Sequence, residues 1–146
     1  MVPGQVQHDS ACKAVLSRAD GVSFVADSQN DQSINNSELF QNVAVNEARV
    51  GLDFQKLPLV VQFNKRDLTN ILSREEIMSR WGLAPWPVVF SVAITGPGVM
   101  ETFRQVLLQV FTDIEKDYNL AEEHGVSSDD FLTGIMGDVS FAETDR

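Results

Sequence analysis

The stretch Leu57-Pro58-Leu59-Val60-Val61-Gln62-Phe63-Asn64-Lys65-Arg66-Asp67-Leu68 decides how the rest of this chain is read. From Leu59 to Phe63 apolar residues run on without strict alternation, broken only by Gln62, the pattern of a strand covered on both faces. The run stops abruptly at Asn64-Lys65-Arg66-Asp67. Polar side chains at the carboxyl end of such a strand sit where open α/β sheets bind ligands. These residue types suit a purine. The Asp67 carboxylate can accept two parallel hydrogen bonds from an N–H and an exocyclic NH2 on one base edge, a donor pair that guanine has and adenine lacks. The Lys65 stem can lie across the ring, and the Asn64 amide can hold the loop and touch N7. By these four residues alone, a charged turn after a core strand would read the same way.

Working outward, strands and helices alternate. Val22 to Ala26 reads as a first strand, opened by Gly21 and closed by the turn formers Asp27 to Asp31. Ser33 to Arg49 reads as a helix with Ile34, Leu39, Val43 and Ala48 inward and Gly51 as its C-cap. After the central strand, Ser73-Arg74-Glu75-Glu76 has the form of a capping box and opens a helix to about Trp81. Pro87 to Val92 is a third apolar run, and Ala93 to Gly98 the loop after it. Val99, Phe103, Val106, Leu107, Val110 and Ile114 then mark one face of the longest helix. Upstream, Met1 to Gln5 reads as a Pro-Gly turn and His8 to Ala19 as a helix. The expectation is an α/β fold with three parallel strands side by side in sequence order, joined by right-handed crossovers and flanked by helices. Residues 1–119 form this unit. Residues 120–146 are acidic and expected to be a flexible tail, with Phe131, Leu132, Ile135 and Met136 able to form one amphipathic turn.

Composition narrows the function classes. The chain has 146 residues, 43% hydrophobic and 22% charged, which fits one globular domain with a sizeable core. A formal net charge of -10 argues against nucleic acid or an anionic membrane surface as the main partner. No apolar run is long enough to span a bilayer, and nothing at the N-terminus reads as a signal peptide. The single cysteine, Cys12, cannot form an internal disulfide and suits a reducing cytoplasmic setting, where a small buried residue is the expected role. His8 has no second ligand at metal-binding spacing.

These pieces resemble one family. Asn-Lys-x-Asp after an apolar strand is similar to the guanine-specificity motif of Ras-like GTPases, within the P-loop NTPase fold. Val92-Ala93-Ile94 is similar in position to that family's Ser-Ala-Lys motif, in which a backbone N–H contacts the guanine O6. The resemblance makes Ala93 that donor, although Val92 and Ile94 depart from the commonest side chains. Val2-Pro3-Gly4-Gln5 resembles the switch II start of the bacterial MglA-type GTPases, which regulate polarity and gliding motility. By position Gly4 would face the γ-phosphate and Gln5 would orient the attacking water. The resemblance spans roughly Val2 to Val110. It implies GTP and GDP as ligands, Mg²⁺, a roadblock-type GTPase-activating partner and an effector.

One family element has no counterpart here. Nothing in the sequence matches G-x-x-x-x-G-K-[ST], the phosphate cradle. The chain therefore reads as the C-terminal, base-recognising part of a Ras-like domain. Guanine contacts alone are worth about -4 kcal/mol, a millimolar dissociation constant, and hydrolysis by this part alone is expected to be negligible. Two readings stand. One is a GTP-binding, GTP-hydrolysing switch of which this is a stretch. The other is a non-catalytic α/β half-domain acting as an interaction module, its sheet completed by a partner strand.

Overall fold

The computed structural model describes residues 14–49, 53 and 55–137. Gly4, Gln5, His8, Cys12 and Gly51 lie outside them. Residues 14–16 are helical and lead into the first strand, β1 (Val22–Asp27). There follow a 3-10 turn at Asn30–Gln32, α1 (Ser33–Arg49), β2 (Leu59–Asn64), α2 (Arg74–Trp81), β3 (Val88–Phe90) and α3 (Val99–Tyr118). Two short helices, α4 (Leu120–His124) and α5 (Ser128–Met136), complete the described chain.

The sheet is parallel, in the order β1-β2-β3. Sequential parallel strands need a crossover long enough to return along a helix, and α1 and α2 supply it. The register pairs Val22 with Leu59 and Asp27 with Asn64, so β1 and β2 end level with each other. β2 is central, and its first five residues are all buried.

One face of the sheet presents Phe24, Ala26, Leu59, Val61 and Phe63 to Ile77 of α2, with Leu39, Phe40 and Val43 of α1 packed against them. Aromatic rings dominate this layer. Phe40 lies 5.0 Å from Phe24, 4.9 Å from Trp81 and 5.2 Å from Trp86, edge to face in each pair. Trp81 also stacks on Phe24 at 6.2 Å. Rings at these separations add attraction beyond the area they bury. The other face carries Val60, Gln62 and Val89, all buried, beneath α3. α3 is tied down at the strand start, where the Gln109 amide both accepts from Leu59 N–H (3.0 Å) and donates to its carbonyl (3.1 Å). Gly21 makes this approach possible, because a Cβ there would lie 2.8 Å from Val106 Cγ1.

The capping box at Ser73 forms as read: Glu76 N–H donates to Ser73 Oγ (3.2 Å) and Ser73 N–H to Glu76 Oε2 (2.8 Å). Several inward positions differ. Ile34, in the first turn of α1, is 74% exposed, whereas Asn36 is only 5% exposed because its amide is bonded to the end of β1. Ala48 is exposed too. On α3, Val99 and Phe103 are exposed while Thr102 and Phe111 are buried. Thr102 lies inward with its hydroxyl bonded to Gly98 O (2.7 Å), so the buried stripe at the start of the helix runs through Thr102 and not Phe103.

Of the residues read as an acidic tail, Leu120–His124 and Ser128–Met136 are helical. Ser127 and Asp130 form a second capping box, and Phe131 packs 5.4 Å from Phe111 of α3, with Leu132 buried. The apolar pair gives an acidic segment enough buried surface to dock on α3.

Candidate functional site

The three strand ends converge on Asn64, the last residue of β2. Its side-chain oxygen Oδ1 accepts from Ser91 Oγ (3.1 Å) and from the backbone N–H of Ala93 (2.9 Å). Its carbonyl accepts from Ser28 N–H (3.0 Å), just beyond β1. Asn64 thus joins the exits of all three strands. Ser91 is 2% exposed and Ala93 is exposed, so the amide links a buried hydroxyl to a surface loop.

Lys65 turns the chain. Its φ of 64° is left-handed, a conformation that disfavours a residue with a Cβ. Leu68 N–H donates to Lys65 O (3.2 Å) and closes the turn, with Arg66 and Asp67 at its centre. The Lys65 ammonium reaches back over the strand ends to Asp27 Oδ2 at 2.6 Å. Asp67 is exposed at the tip, and its carboxylate makes no hydrogen bond or ion pair among the described residues. Arg66 points the other way. Its N–H donates to Ser91 O (3.1 Å) and its guanidinium to Leu72 O (2.6 Å), while the guanidinium lies 5.2 Å from the Phe90 ring centre. Arg74 lies over the same ring at 4.6 Å. Burial, then the adjacent Arg74 charge, lower the Arg66 pKa from its usual value, and Glu75 opposes the shift.

The second loop, Val92 to Gly98, is held by Val92 N–H to Pro97 O (2.9 Å) and by Thr95 and Gly96 N–H to Val92 O. It can pass close to β3 because Gly98, at φ 77°, has no Cβ; one added there would sit 2.2 Å from Phe90 O.

The structure therefore gathers Asn64, Lys65, Asp67 and Ala93 at one end of the sheet. Gly4 and Gln5 fall outside the described residues. Ser91, Asp27 and Asn36 were not singled out from sequence. A strand ending in Asp beside one ending in Asn was the available signal for Asp27. Among the described residues no group of three His, Cys, Asp or Glu side chains could hold a metal ion, so no Mg²⁺ ligand is assigned. No described helix is long and apolar enough to cross a membrane. A cavity of about 320 Å³ between α1 and α2, lined by Phe40, Trp81 and Trp86, lies on the aromatic side of the sheet and includes none of Lys65, Asp67 and Ala93.

No protein-family profile matches the chain. A comparison with characterised proteins gives the mutual gliding-motility protein MglA of Myxococcus xanthus (strain DK1622), 42% identical over 115 residues. The alignment covers 79% of this chain and 59% of MglA, so the chain spans about three-fifths of that relative's length. Identity at this level over most of the chain, together with the parallel three-stranded sheet, makes this chain similar to MglA, a Ras-like GTPase, over the part that the alignment covers.

Proposed function

We propose that this chain provides guanine recognition in a GTP-binding, GTP-hydrolysing switch of the MglA type. The observation that carries the reading is the Asn64 amide, which holds the Asn64–Leu68 turn and the Ala93 loop together with an uncommitted carboxylate, Asp67, at the tip. In this reading Asp67 accepts from the ring N–H and the exocyclic NH2 of guanine. The Lys65 stem covers one face of the ring. The Ala93 N–H, which rests on Asn64 Oδ1, is transferred to or shared with the guanine O6. The resemblance further gives Gly4 the γ-phosphate, Gln5 the attacking water, and the switch GTP or GDP, Mg²⁺, a roadblock-type activating partner and an effector in the cytoplasm. Residues 1–119 carry the nucleotide-binding unit.

The test is a ¹⁵N NMR titration of the chain with the nucleoside monophosphates GMP, IMP, XMP and AMP. We expect GMP to bind with a dissociation constant on the order of millimolar, to shift the Lys65, Asp67 and Ala93 amides, and to bind at least about tenfold more tightly than AMP. Each charge-assisted bond to Asp67 is worth about 1.5–3 kcal/mol, enough for that ratio. Asp67→Asn should turn the preference from GMP toward XMP, whose edge presents a carbonyl in place of the NH2. Indifference to all four nucleotides would favour the interaction-module reading, and unchanged GMP preference in Asp67→Asn would refute the role of Asp67.

A further inference from the structure

We propose that Asp27, held in place by Asn36, is a positioning residue for Lys65 in base recognition. The inference rests on the guanine reading above and adds to it a residue on another strand. Asp27 ends β1 directly beside Asn64 in the register. Its Oδ2 lies 2.6 Å from the Lys65 ammonium, with the Asp27 side chain 22% exposed and that of Lys65 50% exposed. Its Oδ1 accepts from Gln29 N–H (3.0 Å). The main chain at Asp27 is clamped as well: its N–H donates to Asn36 Oδ1 (3.0 Å), and its carbonyl accepts from Asn36 Nδ2 (2.8 Å). Asn36 is buried in the body of the fold. The anchor for the ammonium is therefore rigid on both its backbone and its carboxylate.

A free lysine stem samples many rotamers, and ordering it over a ring opposes binding. Here the two ends of the Lys65 stem are fixed before any ligand arrives. One is set by the left-handed turn and the other by Asp27. The methylenes between them span the sheet end beside Asn64, where the reading above places the base. Preorganisation of this kind raises affinity by removing an ordering cost. Asp27 touches Lys65 and not the base, so its effect is transmitted through the lysine.

The experiment is a double-mutant cycle on the GMP dissociation constant, using the whole chain with Asp27→Asn, Lys65→Ala and both together. Asp27→Asn preserves the shape and the oxygen that accepts from Gln29. We expect it to weaken GMP binding about three- to tenfold, Asp27→Glu to recover part of the loss, and Asp27→Asn to have no effect once Lys65 is Ala. A second measurement, the NMR order parameter of the Lys65 ε-methylene without nucleotide, should fall in Asp27→Asn. If the unmodified chain does not prefer GMP to AMP, the guanine reading fails and this one with it. If that preference is present but Asp27→Asn binds GMP equally or better, or loses the same factor in the Lys65→Ala background, only the positioning role fails. An unchanged Lys65 order parameter also overturns it.

Discussion

Removing the Asn64 side chain tests the brace at the strand ends directly. Asn64→Ala deletes one oxygen that accepts two hydrogen bonds of different character. The Ser91 hydroxyl is buried, so losing its acceptor costs about 1–3 kcal/mol of desolvation without compensation. The Ala93 N–H is exposed, so water replaces the lost partner and the cost is nearer about 0.5–1 kcal/mol. Together about 1.5–4 kcal/mol is expected, or a fall in Tm of about 5–15 °C for a domain of this size. Urea unfolding gives the same quantity from the shift in midpoint at constant slope. The two sites should not be additive. Ser91→Ala alone leaves Asn64 still engaged by Ala93 and should cost less than about 1 kcal/mol. In the Asn64→Ala background the same change removes a stranded hydroxyl and should be neutral or stabilising. The reasoning is refuted if Asn64→Ala lies within about 0.5 kcal/mol of the parent, or if Ser91→Ala destabilises both backgrounds alike.

Other expectations follow from the turn, the close approach and the caps. At Lys65 the left-handed backbone should make Lys65→Gly about 1 kcal/mol more stable than Lys65→Ala, since both lack the ammonium and only one has a Cβ; the reverse order in thermal melts would exclude backbone strain there. Gly98→Ala should cost about 2–4 kcal/mol by urea unfolding, because its Cβ would meet the Phe90 carbonyl and the Ser91 backbone, and a loss below about 1 kcal/mol would show that the loop has another route past β3. Acid should loosen both capping boxes. Bonds from the Ser73 N–H and then its hydroxyl, with Arg80 nearby, lower the Glu76 pKa; the Ser127 hydroxyl and then its N–H do the same for Asp130. A carboxylate whose folded pKa is depressed stabilises the fold above its unfolded pKa of about 4 and loses that contribution as pH falls through the folded value. Tm should therefore hold between about pH 7 and 5 and decline below about pH 4, less steeply in Glu76→Gln; an identical acid slope in that variant would exclude Glu76 as a contributor.

The parts legible in the sequence were those set by local pattern. β2 is an apolar run interrupted only by the buried Gln62 before it ends at Asn64, the pattern expected of a strand covered on both faces. The box at Ser73 depends on residues three apart in the chain, so reading it needed no tertiary knowledge. What stayed hidden was set by register and by competition for inward positions. Lys65 and Asp27 are 38 residues apart and meet only because β1 and β2 end level. Periodicity favoured Ile34 over Asn36, yet a buried amide that satisfies both backbone groups of Asp27 displaces an apolar neighbour with nothing to cover it. Within residues 120–136 local pattern placed Phe131 and Leu132 on one amphipathic turn, but that Phe131 meets Phe111 of α3 is set by tertiary packing and leaves no mark in the local sequence.

The aromatic layer has a spectroscopic consequence. The chain has two tryptophans and one tyrosine. Trp81 and Trp86 both pack around Phe40 on one side of the sheet, whereas Tyr118 ends α3 and is largely exposed. Tryptophan emission is therefore a report on the α1–α2 side alone, blind to α3 and to the helices docked on it. Far-ultraviolet circular dichroism weighs every helix, and α3 is the longest. Superimposable melting curves from the two signals would mean that both layers leave the sheet in one cooperative step, and a split between them would reveal which layer lets go first.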